Sequence, residues 1–319
     1  MQFDELDLIP DVRRALDEMG FEEPTQVQAQ VIPPLLAGQD VIAQAKTGTG
    51  KTAAFGIPII QQVDPDRPDI QALVLTPTRE LAVQVAGEIG RIAQFRPIRV
   101  VPVYGGQPIS RQLRALKAGA QVVIGTPGRV LDHLGRGTID FQQVKTLILD
   151  EADEMLDLGF LEDVEAILRQ TPPNRQTALF SATMPMAILR LTDRYMRTPE
   201  RIQLSRPRGL TVPQTRQRYY VVPSERLKLE ALCQVLDLTE PQAAIIFCAT
   251  KRGVDHLAVA LKGRGYDAEP IHGDLNQAQR DKVMKAFREH RTELLIATDV
   301  AARGLDIEGL SHVFNYDMP

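Results

Sequence analysis

The stretch "DVIAQAKTGTGKTAAFGIPII", residues 40–60, decides the fold of this 319-residue chain. It opens with a short apolar run, continues through a loop that contains two glycines, and ends in a longer apolar pattern typical of a buried helix. The loop, residues 45–52, has the spacing G-x-x-x-x-G-K-[ST] of a phosphate-binding P-loop, with alanine at the first glycine position. A strand, such a loop and a helix in this order predict one edge of an open parallel α/β sheet.

The residue types of this loop predict how it holds a nucleotide. Gly48 and Gly50 allow the backbone to turn so that amide groups point at phosphate oxygens, at the positive end of a helix. The ammonium of Lys51 is expected to reach the β- and γ-phosphates, and the hydroxyl of Thr52 to ligate Mg²⁺. Taken alone, the pattern is also compatible with an ordinary glycine-rich turn at a helix start. We predict ATP and Mg²⁺ as cofactors, with these nucleotide-binding residues in the loop: Thr47, Gly48, Thr49, Gly50, Lys51 and Thr52.

A second decisive stretch is "VKTLILDEAD", residues 144–153, in which three carboxylates follow a buried-strand pattern. If this strand joins the same sheet, Asp150 lies at its carboxyl end beside the P-loop, where ligands of open α/β sheets bind. Asp150 would then balance Mg²⁺, and Glu151 would orient or deprotonate an attacking water. Without the P-loop, the acids would only favour the N-terminus of the next helix. The predicted catalytic residues are Lys51, Asp150 and Glu151, and the predicted metal ligands are Thr52 and Asp150.

Short aliphatic runs alternate with helical patterns along the chain, which predicts right-handed βαβ units and mainly parallel sheets. The alternation stops near "LSRPRGLTVPQ", where prolines and a glycine interrupt a basic stretch, and then resumes. We predict an α/β fold with a first lobe at 1–205, a linker at 206–213 and a second lobe at 214–319. The second lobe is expected to be incomplete, because the sequence stops directly after a strand pattern. The runs predicted as strands in the second lobe are "RQRYYVV", "AAIIFCA", "DAEPIHG", "ELLIATD" and "SHVFNYD".

The composition is that of a soluble globular protein able to bury a full core, with 44% hydrophobic and 24% charged residues and a net charge of −4. The two cysteines lack metal-ligand spacing, the N-terminus lacks a signal-peptide pattern, and no apolar run approaches the roughly 18 residues of a membrane span. We therefore predict a cytoplasmic protein without a membrane partner. Basic residues dominate from Arg190 to Lys228, which indicates either a local nucleic-acid surface or a solvated helix face and linker.

In their order along the chain, these motifs resemble those of the bacterial DEAD-box ATP-dependent RNA helicases. The resemblance covers nearly the whole chain and implies two RecA-like P-loop lobes, with parallel sheets flanked by helices. It also implies RNA as the partner, through sequence-nonspecific backbone contacts. The segment "GFEEPTQVQ", residues 20–28, is similar to the family's adenine-reading motif, so that Gln28 is implied to hydrogen-bond the base and Phe21 to stack on it, supported by Phe3. Without the resemblance, this segment indicates a helix start after a turn.

Further motifs carry the RNA contacts that the resemblance implies. "PTREL" (77–81), "GG" (105–106) and "TPGR" (126–129) offer charges, hydroxyls and main-chain amides to phosphate, although "TPGR" is also compatible with a turn and helix cap. The second lobe contributes "IIFCATKRG", "HGDLNQAQR" and "ATDVAARGLD", in which Asp306 is implied to reach the ATP ribose. The implied RNA-binding residues are Pro77, Thr78, Arg79, Gly106, Thr126, Arg129, Arg252, Gly273, Arg280 and Thr298. The residues implied to couple hydrolysis to RNA separation are Asp153, Ser181 and Thr183.

One departure concerns the family's arginine-rich sixth motif, which does not follow within the 319 residues. By analogy with other NTPases, its arginine finger contributes on the order of 10³-fold or more in rate. We therefore expect this polypeptide to bind ATP and clamp RNA but to hydrolyse ATP poorly. The predicted function is an ATP-dependent RNA helicase that clamps and locally unwinds short RNA duplexes. The alternatives are an ATP-gated RNA-binding scaffold without efficient turnover and a DNA-directed helicase.

Overall fold

The computed structural model describes residues 2–46, 48–204, 216–302 and 309–317. The chain divides into two compact units, Met1–Arg206 and Pro207–Pro319, and each is described by itself. The predicted linker at 206–213 lies outside the described residues, as do Thr47 and Asp306, which were predicted to contact ATP.

A parallel sheet forms the centre of the first unit. Its strands are β1 Val41–Gln44, β2 Ala72–Leu75, β3 Val100–Val103, β4 Val122–Gly125, β5 Thr146–Leu149, β6 Gln176–Ser181 and β7 Glu200–Gln203. Their order is β3-β4-β2-β5-β6-β1-β7, and every neighbouring pair is parallel. All residues of β2, β4 and β5 are buried, as expected for strands that are covered by helices on both faces.

Helices cover both faces of this sheet. They are α1 Pro10–Glu18, α2 Gln26–Leu36, α3 Lys51–Gln62, α4 Arg79–Ile92, α5 Ile109–Lys117, α6 Pro127–Gly135, α7 Ala152–Asp157, α8 Leu161–Arg169 and α9 Met186–Tyr195. Apolar side chains of α1 to α4 form one buried cluster with one face of the sheet. Those of α6 to α9 form a second cluster with the other face. Alternate residues of β1 and β2 belong to alternate clusters, because successive side chains of a strand point to opposite faces.

The strand order places the loops of this unit along one edge. Because the strands are parallel, their carboxyl ends meet at the same edge, where ligands of open α/β sheets bind. The loops after β1, β5 and β6 lie in one half of this edge, which we call the nucleotide half: residues 45–52, 150–153 and 181–183. The loops after β2, β4 and β3 lie in the other half, which we call the arginine half: residues 76–79, 126–129 and 104–108.

The second unit repeats the architecture on a smaller scale. Its described strands are β8 Ala244–Phe247, β9 Ala268–Ile271, β10 Leu294–Ala297 and β11 His312–Asn315. They form a parallel sheet in the order β11-β8-β10-β9. The helices are α10 Lys228–Thr239, α11 Lys251–Lys262, α12 Gln277–Arg288 and α13 Asp299–Ala302. Short 3₁₀ helices, Phe3–Glu5 and Glu225–Leu227, complete the two units.

The predicted α/β fold with parallel sheets flanked by helices is confirmed, with one strand wrong and one missed. The run "RQRYYVV" has no regular structure from residue 216 to 222, and Tyr219 and Val221 are 89% and 85% exposed. Its aromatic and β-branched residues favour a strand only when a neighbouring strand pairs with them. The missed strand is β7, whose mixed sequence "ERIQ" buries only Ile202 and pairs with β1 at the sheet edge. Among the described helices, none has the length and apolar character to cross a membrane.

Candidate functional site

The P-loop joins the end of β1 to the first turn of α3. Gly48 and Gly50 have positive φ angles of 74° and 89°, and α3 begins at Lys51 directly after them. This backbone presents the amide groups of a helix start, which together with the helix dipole favour an anion. The hydroxyl of Thr49 donates to the main-chain oxygen of Lys46 at 2.9 Å and braces the loop. Thr52 follows on the first turn and is half-buried.

The predicted adenine-reading segment is hydrogen-bonded to the P-loop. Thr25 and Gln28 form a capping box at the start of α2, in which Gln28 Oε1 accepts from the amide of Thr25 at 2.9 Å. Gln28 Nε2 donates to the main-chain oxygen of Gly50 at 3.2 Å, and the Thr25 hydroxyl donates to that of Thr49 at 2.9 Å. Gln28 is only 2% exposed, and its carboxamide already makes these two hydrogen bonds within the protein. One donor and one acceptor position of the amide remain for a base.

Two aromatic rings lie next to this segment. Phe3 is fully buried, and its ring centroid lies 5.9 Å from that of Phe21 in an edge-to-face arrangement. Phe21 is half-buried, which leaves part of its ring accessible to a planar ligand.

Asp150 follows β5 directly and is 2% exposed. Its Oδ1 lies 4.0 Å from Nζ of Lys51, which is itself 7% exposed and 3.5 Å from the main-chain oxygen of Ala45. Burial raises the pKa of Asp150, and the charge of Lys51 opposes this effect. Asp150 Oδ1 has no hydrogen-bond partner among the described residues. A buried carboxylate oxygen beside a P-loop lysine fits a cation ligand, because a buried polar atom without a hydrogen bond is otherwise costly.

No group of three His, Cys, Asp or Glu side chains suited to a metal occurs in the part of the chain that the structure describes.

Glu151 has an unusual backbone conformation and a raised pKa. It caps α7 with φ 53° and ψ 53°, a left-handed conformation that is strained for a residue with a side chain. Burial, followed by the neighbouring charge of Asp150, raises the pKa of Glu151 to about 7. A carboxylate with a pKa near the working pH is well suited to accept a proton from water.

Asp153, Ser181 and Thr183 form one hydrogen-bonded group, which we call the coupling cluster. Asp153 Oδ2 accepts from the amide of Thr183 at 2.8 Å and from its hydroxyl at 2.9 Å. The amide of Asp153 donates to Ser181 Oγ at 3.2 Å, and this hydroxyl donates to the main-chain oxygen of Thr183 at 2.7 Å. Burial acts to raise the pKa of Asp153, but the hydrogen bonds that involve Ser181 and Thr183 outweigh it and lower the pKa. The cluster therefore ties the acids after β5 to the loop after β6.

In the arginine half, Arg79 and Gly106 lie in direct contact. Thr78 caps α4 by accepting from the amide of Leu81 at 3.2 Å, which places Arg79 on the first turn of that helix. Gly106 has φ 82°, and a side chain at this position would overlap the guanidinium of Arg79. The predicted motifs "PTREL" and "GG" thus meet in space. Pro77 is buried, so that a ligand would reach its main chain rather than its ring.

Arg129 brings the third predicted motif to the same place. Its Nη1 donates to the main-chain oxygen of Gln107 and to Gln112 Oε1, each at 3.3 Å. Its side chain is 16% exposed. Thr126, at the start of α6, is 8% exposed, while Gly128 is exposed. The arginine half therefore offers guanidinium groups and main-chain amides to an anionic ligand.

The predicted residues of the second unit also follow the carboxyl ends of its strands. Arg252 and Gly273 are exposed, at the start of α11 and in the loop after β9. Arg280 Nη2 donates to the main-chain oxygen of Ala301 at 3.3 Å. Thr298 is 9% exposed and its hydroxyl accepts from the amide of Ala301 at 3.3 Å. Arg280 and Thr298 thus meet at α13, close to the end of β10.

Three residues that lie next to predicted site motifs were not predicted as site residues: Gln112, His133 and Asp255. Gln112 and His133 are buried and hydrogen-bonded to each other behind Arg129. In the second unit, Asp255 Oδ1 lies 2.9 Å from Nε2 of His272, which is 5% exposed although histidine in such a loop is usually a surface residue. Their partners are far away in sequence, so that spacing gave no signal for them.

In the described part of the basic stretch from Arg190 to Lys228, some residues make contacts within their own unit, whereas Arg216 and Arg218 are exposed. Arg194 pairs with Glu165 at 3.2 Å, Arg197 donates to main-chain oxygens, and Lys228 pairs with Asp317 at 2.6 Å. Both interpretations of this stretch, a local nucleic-acid surface and a solvated helix face with a linker, stay predictions.

A P-loop after one strand and buried acids after another, on one edge of a parallel sheet, define a P-loop nucleotide-binding protein. The DEAD/DEAH box helicase model matches residues 25–191, and the model of the helicase conserved C-terminal domain matches residues 227–319. The chain belongs to the DEAD/DEAH box helicase family.

The relatives agree with this assignment. The chain is 53% identical over 317 residues to the DEAD-box ATP-dependent RNA helicase CshA of Geobacillus kaustophilus, covering 99% of this chain and 68% of that protein. It is 51% identical to the protein of the same name from Bacillus subtilis, covering 99% of this chain and 64% of the relative. The chain thus spans about two thirds of the length of the curated relatives it matches.

Solved structures give the same result for the fold. Saccharomyces cerevisiae Dbp5 bound to RNA and ADP BeF3 matches with a TM-score of 0.89 and 34% identity, covering 100% of this chain and 81% of Dbp5. A DEAD box protein from Methanococcus jannaschii matches with a TM-score of 0.62 and 44% identity, covering 100% of this chain and 86% of that one. The predicted family and the RecA-like α/β architecture are confirmed, and family membership implies use of a nucleotide. The roles of individual site residues stay predictions.

Proposed function

We propose that this chain binds ATP and RNA and couples ATP hydrolysis to the clamping and local unwinding of short RNA duplexes. The observation that carries the proposal is that the carboxyl edge of the first sheet has two halves, one with buried acids beside a P-loop and one with arginines. Its nucleotide half contains Lys51, Asp150 and Glu151, and its arginine half contains Arg79 and Arg129. The names of the relatives support it, since they are ATP-dependent RNA helicases, and the Dbp5 structure contains RNA and ADP BeF3.

In this proposal, the amides of the P-loop and the ammonium of Lys51 hold the triphosphate. Thr52 and Asp150 would hold Mg²⁺, which neutralises charge on the β- and γ-phosphate oxygens when bound. The support is the buried Asp150 Oδ1, which has no hydrogen-bond partner among the described residues. Phe21 and Gln28 would contact the base. Thr47 and Asp306 are retained as proposed ATP contacts on the family resemblance alone.

Glu151 is proposed as the general base of hydrolysis. Its carboxylate takes a proton from water while the water oxygen bonds to the γ-phosphorus and the bond from that phosphorus to the bridging oxygen breaks. The products are ADP and phosphate, and the proton stays on Glu151. The coupling cluster lies in the adjoining loops, so that its hydrogen bonds would respond to the departure of the γ-phosphate.

RNA is proposed to bind through its backbone. In the first unit, Arg79, Gly106 and Arg129 are the main contacts, with Pro77, Thr78 and Thr126 shaping the loops. In the second unit the proposed contacts are Arg252, Gly273, Arg280 and Thr298. Contacts of this kind carry little sequence information, and readout of 2′-hydroxyls and A-form geometry would favour RNA over DNA.

The test is phosphate release and strand separation with matched RNA and DNA duplexes. We expect phosphate release by the wild-type chain to be slow, to increase with RNA and to increase much less with matched DNA, whereas RNA should not increase it in E151Q. Equal stimulation by DNA would support a DNA-directed helicase. ATP-dependent RNA binding without any phosphate release would support an ATP-gated scaffold instead. A cytoplasmic location remains a prediction that fractionation of cells can test.

A further inference from the structure

A buried glutamine joins two loops of the arginine half. Gln112, on α5, is 2% exposed. Its Nε2 donates to the main-chain oxygen of Tyr104 at 2.7 Å, and its Oε1 accepts from Nη1 of Arg129 at 3.3 Å. The same Oε1 lies 2.9 Å from Nε2 of His133, on α6. One side chain thus connects the loop after β3 with the helix that carries Arg129.

The protonation state of His133 follows from these contacts. The main-chain oxygen of Tyr104 can only accept, so the nitrogen of Gln112 faces it and the oxygen of Gln112 faces His133. The Nε2 atom of His133 therefore carries a hydrogen. Its Nδ1 lies 2.8 Å from Thr138 Oγ1, and the hydroxyl of Thr138 donates to the main-chain oxygen of His133 at 3.0 Å. His133 is fully buried, and burial, followed by the charge of Arg129, lowers its pKa, which favours the neutral ring.

The same contacts restrain Arg129. Its Nη1 also donates to the main-chain oxygen of Gln107 at 3.3 Å, and its Nε lies 3.8 Å from Asp132 Oδ2. A guanidinium on a free side chain loses rotamer freedom when it binds phosphate, whereas one that is already held by fixed acceptors loses less. Gln112 and His133 are therefore placed to prepare Arg129 for a ligand that neither of them touches.

We propose that Gln112 and His133 are positioning residues for RNA, which hold Arg129 and the loop from Tyr104 to Gln107 in the arrangement that binds a phosphate. The inference rests on the proposed function, because that function makes RNA the ligand of Arg129. If these hydrogen bonds only stabilise the fold, their loss should lower stability, and any loss of RNA affinity should not depend on Arg129. That difference makes the two roles separable by experiment.

The experiment measures the dissociation constant of the full 319-residue chain for a short single-stranded RNA, with a non-hydrolysable ATP analogue, at several salt concentrations. Gln112→Met keeps the side-chain length and removes both hydrogen-bonding atoms. We expect it to weaken RNA binding about tenfold, the usual size of coupling within one hydrogen-bond network. The salt slope should fall by about 0.7, which corresponds to one phosphate contact on a single strand. Affinity for the ATP analogue should stay unchanged.

A matched control is Gln176→Met at the opposite edge of the sheet. Gln176 is also buried, and its Nε2 donates to the main-chain oxygens of Leu35 and Gln39 at 2.9 and 2.7 Å. Its replacement should lower the melting temperature and leave RNA affinity unchanged. Equal losses of RNA affinity in the two glutamine variants would overturn the inference.

The decisive comparison uses Arg129→Gln as a second background, in which Gln112→Met should cause no further loss of RNA affinity. His133→Phe keeps an aromatic ring, removes both nitrogens and gives the same test if Gln112→Met does not fold.

The inference is overturned if the folded variant binds RNA as the wild type does, or loses as much affinity in the Arg129→Gln background. If Arg129→Gln alone has no effect, the inference fails while RNA binding stands. If the wild-type chain with the ATP analogue does not bind RNA, the proposed function itself fails.

Discussion

Replacement of Gly50 by alanine tests how the predicted adenine-reading segment, residues 20–28, is joined to the P-loop. The φ angle of 89° is left-handed, which costs a residue with a side chain about 1–2 kcal/mol. The added Cβ would also lie 2.6 Å from Gln28 Nε2. Gln28 is 2% exposed and must move, which breaks its 3.2 Å bond to the Gly50 oxygen at a cost of about 0.5–1.5 kcal/mol. The free energy of unfolding should therefore fall by about 1.5–3.5 kcal/mol.

Gly48→Ala is the matched control for this variant. Gly48 also has a positive φ, 74°, but a Cβ there meets nothing within 4 Å, so that only the backbone term of about 1–2 kcal/mol applies. Thermal unfolding of the nucleotide-free chain, followed by circular dichroism, should give Gly50→Ala a melting temperature about 1–6 °C below that of Gly48→Ala. In a Gln28→Ala background this difference should become smaller, because only the 3.1 Å approach of the added Cβ to Thr25 Oγ1 remains. Equal melting temperatures in the wild-type background, or a difference that Gln28→Ala leaves unchanged, would refute the reasoning.

Other variants separate hydrolysis, coupling and RNA binding. E151Q should lower RNA-stimulated phosphate release by about 10²–10⁴-fold while the ATP analogue still binds, because only proton transfer is lost; loss of analogue binding would contradict this. T183V removes the hydroxyl but keeps the amide donor of the coupling cluster, so strand separation should fall more than phosphate release, and equal losses would count against a coupling role. G106A should weaken RNA binding because its side chain would displace Arg79, whereas G105A, whose Cβ would lie 3.8 Å from that guanidinium, should have little effect; anisotropy with labelled RNA distinguishes the two.

Local patterns in the sequence were sufficient to predict the fold. The P-loop spacing and the buried runs before it and before Asp150 are contiguous in sequence, and the alternation of strands with helices restricts the sheet to parallel pairing. The error at residues 216–222 and the missed β7 have one cause. A strand forms when a neighbour pairs with it, and pairing depends on tertiary structure rather than on the propensity of the segment.

The site residues that could be predicted are those in short motifs, where the residue types within one segment indicate a function. Lys51 and Asp150 belong to motifs whose residue types already indicate phosphate and cation chemistry. Contacts between distant segments were less accessible to such reasoning. The bond from Gln28 to Gly50 spans 22 residues, and the bond from Gln112 to His133 spans 21. The family resemblance implied a shared coupling role for Asp153, Ser181 and Thr183, but no local pattern indicated the glutamine and histidine behind Arg129.

The central claim is that one edge of one sheet binds the triphosphate in its nucleotide half and RNA in its arginine half. A crystal structure of this chain with an ATP analogue, Mg²⁺ and single-stranded RNA tests it most directly. The account predicts the triphosphate on Lys51 and Thr52, Mg²⁺ between the phosphates and Asp150, and an RNA phosphate at Arg79, Gly106 and Arg129. A nucleotide bound away from the P-loop, or RNA bound with the arginine half untouched, would contradict it.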